Sequence, residues 1–430
     1  MMRSLYAIGL VVLTTLLTTP ATLLAQRPLS LADAQAEARM RAPEAAELRA
    51  PSAGAEAIAA PAGRVFRDDP TIASSLFRGS VIGRPDESAW DVSVRQPFDV
   101  SRSWKPRAAS AAADLARTRF EGDDGLRALD ERVAVAFADV ALAQRQLIRT
   151  ERIVELQRIA ADAARRQFEV GTAPQIDADS AALDLAGSLM TMEQTRGELD
   201  QSRLRLARRL GRDTARDLLV EDSLDAPQTS PKPDLTALVD RDPRVQTANA
   251  ELEAAGFERQ TFERLVMPPL TLGVDYGRRR TDIPMGAFSG APFANLLKAN
   301  WADADLVLSV GVPVPLFNRQ REPRARATAR ILAAEARVGL ARSDVRNELE
   351  AAWSALEAAT RAFQVVATTS SVVERDVTFV EQAVRAGQFD AVTRALALRR
   401  LEDSGRRIDM ATRDLSAARA AWVRRTAGLQ

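Results

Sequence analysis

Phe168-Glu169-Val170-Gly171-Thr172 and, further along, Val384-Arg385-Ala386-Gly387-Gln388 set the same glycine after the same kind of helix-forming run, and 387 minus 171 is 216. Working outward, the segment from Val133 to Ala143 around Phe137 resembles the segment from Val345 to Ala355 around Trp353, again 216 apart (353 minus 137). Ser93-Val94 matches Ser309-Val310 at that offset, whereas Pro70 matches Pro269 and Pro43 matches Pro243 at 199 and 200. An offset that is constant on either side of one jump marks an internal duplication with an insertion in a single loop. The jump falls between Leu76 and Ser93 in the first half and between Tyr276 and Ser309 in the second.

Each half reads helix, two strands, long helix, sharp turn, return helix. The first repeat covers residues 26–211, with a β-hairpin at 69–98, a long helix at 107–170 and a return helix at 175–210. The second covers 235–430, with a hairpin at 268–315, a long helix at 323–386 and a return helix at 389–427. Residues 212–234, holding Pro227, Pro231 and Pro233, form the linker. The long runs lack proline after their first turn and are rich in Ala, Arg, Leu, Glu and Gln, which favours helix. At about 1.5 Å per residue such a run spans roughly 95 Å, so an elongated molecule is expected. Narrow apolar stripes such as Ile148, Ile153, Leu156 and Ile159 suit coiled-coil packing. Shorter helices are expected from Leu29 to about Leu48 and from Leu235 to Leu265. Pro51, Gly54, Pro61 and Gly63 interrupt what is helix in the second half, so the first ascending helix is expected to break there.

Period-two patterning defines the strands. Leu270, Leu272, Val274 and Tyr276 alternate with Thr271, Gly273 and Asp275; Leu306, Leu308 and Val310 alternate with Val307 and Ser309; Trp90, Val92 and Val94 alternate with Asp91, Ser93 and Arg95. The stretch from Pro70 to Leu76 is a weak strand. Gly277 to Trp301, with Arg278, Arg279, Arg280, Gly286, Gly290 and Pro292, reads as a long exposed loop, and Phe77 to Ala89 as its shorter counterpart.

Composition excludes most chemistry. Lys+Arg 59 against Asp+Glu 58 leaves a net charge of +1, so nothing in the overall balance favours a polyanionic partner such as nucleic acid. The chain has no Cys and no His, which removes thiolate nucleophiles, imidazole bases, Ser-His-Asp triads and Cys/His metal sites. No catalytic residue, metal site or cofactor is expected, and the carboxylates read as solvated helix faces among arginines.

Arg3 precedes an apolar run from Leu5 to Leu17 and a small-residue stretch ending near Ala25, so residues 1–25 read as a cleaved signal peptide. With no cysteine, no lipoprotein anchor is expected. No other run is long and apolar enough for a membrane helix, so a membrane location would use strands. Four strands cannot close a barrel when the smallest single-chain barrels have about eight, and lipid does not tolerate an open edge. Several copies must therefore share one barrel.

Over nearly all of its length after residue 25 the sequence resembles the outer-membrane efflux (TolC) family. The likeness is carried by residues 168–172 with Asp177, by residues 384–388, and by Val312-Pro313-Val314-Pro315-Leu316-Phe317-Asn318-Arg319, the last most like the heavy-metal (CzcC/CusC-like) branch. The resemblance implies a mostly α fold with a small β part: two strand pairs per chain in a homotrimeric 12-stranded β-barrel, above a periplasmic barrel of helical hairpins. It implies a passive conduit in the outer membrane of a Gram-negative bacterium, working with a periplasmic adaptor protein and an inner-membrane efflux transporter of the RND type. Val170, Gly171, Thr172, Ala386, Gly387 and Gln388 would be the adaptor-docking tips, and Asp177, Asp179 and Thr393 would line the periplasmic gate. A periplasmic adaptor or another exported coiled-coil protein is the alternative; it would not need two strand pairs at equivalent places.

Overall fold

The computed structural model describes residues 28–66, 68–79, 86–215, 218–221, 233–267, 269–284, 298–313, 320–385 and 391–426. The segment read as a signal peptide lies outside them. The elements run α1 (Leu31–Arg41), α2 (Pro43–Ala62), β1 (Thr71–Gly79), β2 (Asp86–Phe98), α3 (Trp104–Glu169) and α4 (Gln175–Leu210). The same order follows in α5 (Leu235–Arg241), α6 (Pro243–Arg264), β3 (Leu270–Pro284), β4 (Lys298–Gly311), α7 (Arg321–Arg385) and α8 (Ala391–Thr426).

The chain forms two compact units, each drawing residues from both halves of the sequence. The first takes the described residues up to Ala38 with Val133–Ala226 and Ser370–Asp409, and the second takes Arg39–Arg132, Pro227–Thr369 and Met410 onward. In the first, Leu156 and Ala160 of α3 pack on Leu398 of α8, and Arg149 of α3 pairs with Asp409. There the residues after α4 turn back on those around α1: Leu29 bridges Val220 in parallel, and Arg212 holds Glu37 by two bonds of 2.8 and 2.6 Å. In the second unit Leu238, Val239 and Val245 pack on Val345 and Leu349, with Trp422 against them and edge-on to Trp353 at 5.2 Å.

The charges beside that core are paired. Arg244 donates to Glu348 at 2.9 Å, Arg425 also pairs with Glu348, and Arg424 reaches Glu131 at 3.0 Å. The bond from Arg244 holds the Glu348 carboxyl below the usual carboxylate range.

The short helices correct two expectations. The first break is at Ala42 and not at Pro51: Ala42 is extended (φ −63°, ψ 130°) because Pro43 clashes with a helical predecessor. Asp242 does the same before Pro243 (φ −66°, ψ 132°), which divides the single helix expected over Leu235 to Leu265. α2 runs through Pro51. That residue and Glu47, whose carbonyl it leaves without a donor, are both exposed, so water can take the donor's place.

The two breaks are capped unequally. Asp242, 3% exposed, accepts from the Arg244 amide at 2.9 Å, while Ala42 has no side chain to do so. Asp242→Ala should therefore lower stability by about 1–3 kcal/mol, the sum of a lost cap and a weakened partner for Arg244. Asp242→Asn should keep most of it, and thermal unfolding in detergent is the check.

The strands are longer than their side-chain alternation indicates. β1 is a full strand of nine residues, paired from Thr71↔Arg95 to Gly79↔Glu87. β3 continues through Gly277 to Pro284 and β4 begins at Lys298, so much of the stretch read as loop is ladder. Backbone pairing with a well-patterned neighbour extends a strand past the point where its own residues specify it. The two hairpins join: β2 pairs β3 antiparallel from Phe98↔Leu270 to Asp86↔Asp282, giving one sheet in the order β1-β2-β3-β4.

Candidate membrane-facing sheet and tip turn

Register sorts the sheet into two faces. One row across the strands holds Ile72, Val94, Val274 and Leu308, the next Ser74, Val92, Tyr276 and Leu306, and the next Leu76, Trp90, Arg278 and Ala304. Leu272 with Val310 continues this face toward the helices. The intervening rows face the other way and are polar, as in Ala73, Ser93, Asp275 and Val307 or Thr71, Arg95, Gly273 and Ser309.

The polar face carries hydrogen bonds and ion pairs of its own. Arg95 reaches Asp275 at 3.2 Å, Ser309 donates to Asp275 at 3.3 Å, Ser75 donates to Asp91, and Arg279 reaches Glu87 at 3.1 Å. The apolar face is bare: Leu76 is 85% exposed and Leu308 76%. Trp90 and Tyr276 meet edge to face at 5.7 Å on it. A contiguous apolar face of this kind calls for a partner phase or surface. β1 and β4 are the outer strands of the sheet, each paired on one side among the described residues.

In the other compact unit, α3 ends in a glycine turn. Gly171 lies at φ +75°. Its amide donates to Phe168 O at 2.9 Å and the Thr172 amide to Gln167 O at 2.8 Å, the paired bonds of a Schellman cap. The Thr172 hydroxyl also donates to Gln167 O at 2.9 Å. α4 then starts after Pro174 (φ −71°, ψ 153°) with Asp177 in its first turn. Gly211 closes α4 by the same bonds at φ 72°, with Gly211 N to Arg208 O at 3.3 Å and Arg212 N to Ala207 O at 2.9 Å.

The glycine by itself is thus a cap, and its neighbours set this turn apart. Val170 and Ile176 are each 73% exposed, and apart from its two chain neighbours no residue lies within 4 Å of where a Gly171 Cβ would sit. Asp177 and Asp179 are exposed on α4. Ala386, Gly387, Gln388 and residues 314–319 fall outside the described residues, as does the side chain of Thr393 on α8. The sequence reading missed two corner residues, Arg102 and Gln320. They take φ 57° and 55° just before the two long helices, a left-handed step that non-glycine residues rarely adopt. The equivalent placing of the two in the repeats is the only sequence signal that bears on them.

Among the described residues no group of three or more His, Cys, Asp or Glu could hold a metal ion, and no helix is long and apolar enough to cross a membrane.

The family model described as outer membrane efflux protein matches residues 83–212, which span β2, α3 and α4. A search of curated proteins finds no match. Solved structures share the fold along almost the whole chain. The outer membrane protein VceC of the bacterial pathogen Vibrio cholerae superposes with a TM-score of 0.66 at 15% identity, over 92% of this chain and 95% of that one. The open-state outer membrane channel MtrE of Neisseria gonorrhoeae gives 0.68 at 13%, over 93% and 89%. CusC, described in a study of folding and transmembrane channel formation, gives 0.68 at 13%, over 91% and 91%. The chain therefore has the fold of these outer-membrane channels, mostly helical with one small antiparallel sheet, and CusC is no nearer in TM-score than MtrE.

Proposed function

We propose that this chain is the outer-membrane channel of an efflux system: a passive, non-enzymatic conduit in which three copies pool their strands into one twelve-stranded barrel. The observation that carries this reading is the sheet. Its four strands are 9 to 15 residues long, sufficient to span a bilayer obliquely, and its apolar face is exposed. A membrane sheet with two outer edges is untenable in lipid until other strands close it.

The likeness to outer-membrane channels supports placing the apolar face toward lipid and the polar face, with Ser93, Arg95 and Asp275, toward water. In the same reading the repeats are 26–211 and 235–430, and the turns at Val170-Gly171-Thr172 and Ala386-Gly387-Gln388 face the periplasm. There they would meet an adaptor that links the channel to an inner-membrane transporter, with Asp177, Asp179 and Thr393 at the pore entrance. A coiled-coil adaptor is disfavoured, since a water-soluble partner gains nothing from a bare apolar face on four long strands.

The absence of cysteine makes the test direct. Ser74→Cys in β1 combined with Leu306→Cys in β4, treated with a short bifunctional thiol reagent in intact outer membranes, should give cross-linked dimers and trimers and nothing larger. Monomers alone, or ladders beyond three, would be incompatible with the proposal.

A further inference from the structure

We infer that the sheet carries a binding site for the phosphate groups of a phosphorylated outer-leaflet glycolipid, built from Arg78, Arg278 and Arg280 around Ser88. The inference rests on the channel reading, which supplies the membrane.

The register places the site. Arg78 pairs with Ser88, Ser88 with Arg280, and Trp90 with Arg278, so all three arginines lie on the face of Leu76, Trp90, Val92 and Tyr276 and not on the polar face. All three are exposed. Arg78 and Arg278 make no ion pair among the described residues, whereas Arg95 and Arg279, on the opposite face, are paired with Asp275 and Glu87.

Arginine on a lipid-facing surface is costly at the bilayer centre and costs little at headgroup level. The Trp90–Tyr276 pair, an aromatic pair of the kind that marks the interface, lies directly beside these arginines. The arginine rows are also the ones nearest the strand-to-strand connections, at the end of the sheet away from where the strands run into helices. In the channel reading that end is the outer leaflet.

Guanidinium groups hold phosphate through paired, charge-assisted hydrogen bonds, and Ser88 in their midst is small, exposed and a hydroxyl donor. Arg78 and Arg280 sit one strand to either side of Ser88, so their backbones are roughly 10 Å apart and both side chains can reach a phosphate over it.

The experiment uses the full processed protein in nanodiscs of phosphatidylcholine containing a small fraction of lipid A. The lipid A carries both phosphates or has had them removed, and a third arm adds inorganic phosphate alone. Lipid retained by the protein is counted by native mass spectrometry. The phosphorylated lipid should be enriched about tenfold over the dephosphorylated one, as two or more charge-assisted bonds allow, and free phosphate should neither bind nor compete at millimolar concentration. Arg78→Gln with Arg278→Gln should remove the enrichment, while Arg279→Gln on the opposite face should not. Equal retention of both lipids, or enrichment untouched by the double variant, overturns this inference alone. Failure of the unmodified protein to enter any disc overturns the channel reading with it.

Discussion

Leu308→Arg should abolish assembly in the outer membrane, while Val307→Arg, one residue earlier on the same strand, should assemble. Both side chains are exposed, at 76% and 52%, so exposure does not separate them. Their rows do: Leu308 continues Ile72, Val94 and Val274, and Val307 continues Ala73, Ser93 and Asp275. Leu308 sits in the middle of the apolar band, where an arginine facing lipid costs about 2–4 kcal/mol. Three copies would incur it together, roughly 6–12 kcal/mol per assembly, which is comparable to the whole stability of an ordinary domain. On the other face the new arginine would meet water and Asp275. Fractionation of membranes followed by detergent extraction reads the result as oligomer recovered. Equal recovery of the two variants would mean that the sheet does not divide lipid from water.

The second large effect is at the turn after α3. Gly171→Glu should reduce efflux at least tenfold while barrel assembly is preserved, and Gly171→Asn should leave efflux near normal. The left-handed backbone at φ +75° costs a side-chain-bearing residue about 1–2 kcal/mol, less for Asn, and the open space beside Gly171 leaves no clash to add. Both variants therefore keep the turn, and a large difference between them must come from charge placed beside the exposed Val170 and Ile176. Gly211 supplies the control, since it closes α4 by the same cap: Gly211→Glu should follow the stability loss of its own turn and not the transport loss. Measured as drug or metal susceptibility at constant protein level, equal efflux in Gly171→Glu and Gly171→Asn would reduce Gly171 to a helix cap and refute the proposed docking role. The companion variant Gly387→Glu should add to the loss.

The parts that the residues announced are those specified by local chemistry. The long helices follow from proline-free, alanine-rich runs, and α4 begins at Gln175 and ends at Leu210 where Pro174 and Gly211 punctuate it. The central halves of β2, β3 and β4 follow from alternation that one apolar face imposes. β1 was faint because Ala73, Ser74 and Ser75 blunt its pattern, and its existence depends on the ladder that Val92 and Val94 supply from the next strand. The arginine stretch Arg278–Arg280 read as loop for the same reason, since strand continuation there is a property of the pairing. The breaks at Ala42 and Asp242 were written in the residues that follow them, Pro43 and Pro243, yet the helix-disfavouring content around Pro51 drew the stronger expectation.

By itself the sequence determined the order of elements in each half and the alternation that makes one sheet face apolar, because each depends on residues near one another in the chain. Only the tertiary structure decided that the two hairpins, some 170 residues apart, pair through β2 and β3 into one sheet, and so placed Arg78, Arg278 and Arg280 around Ser88. That outcome belongs to register, and register between distant strands arises from burying rows of side chains together, which no single segment encodes.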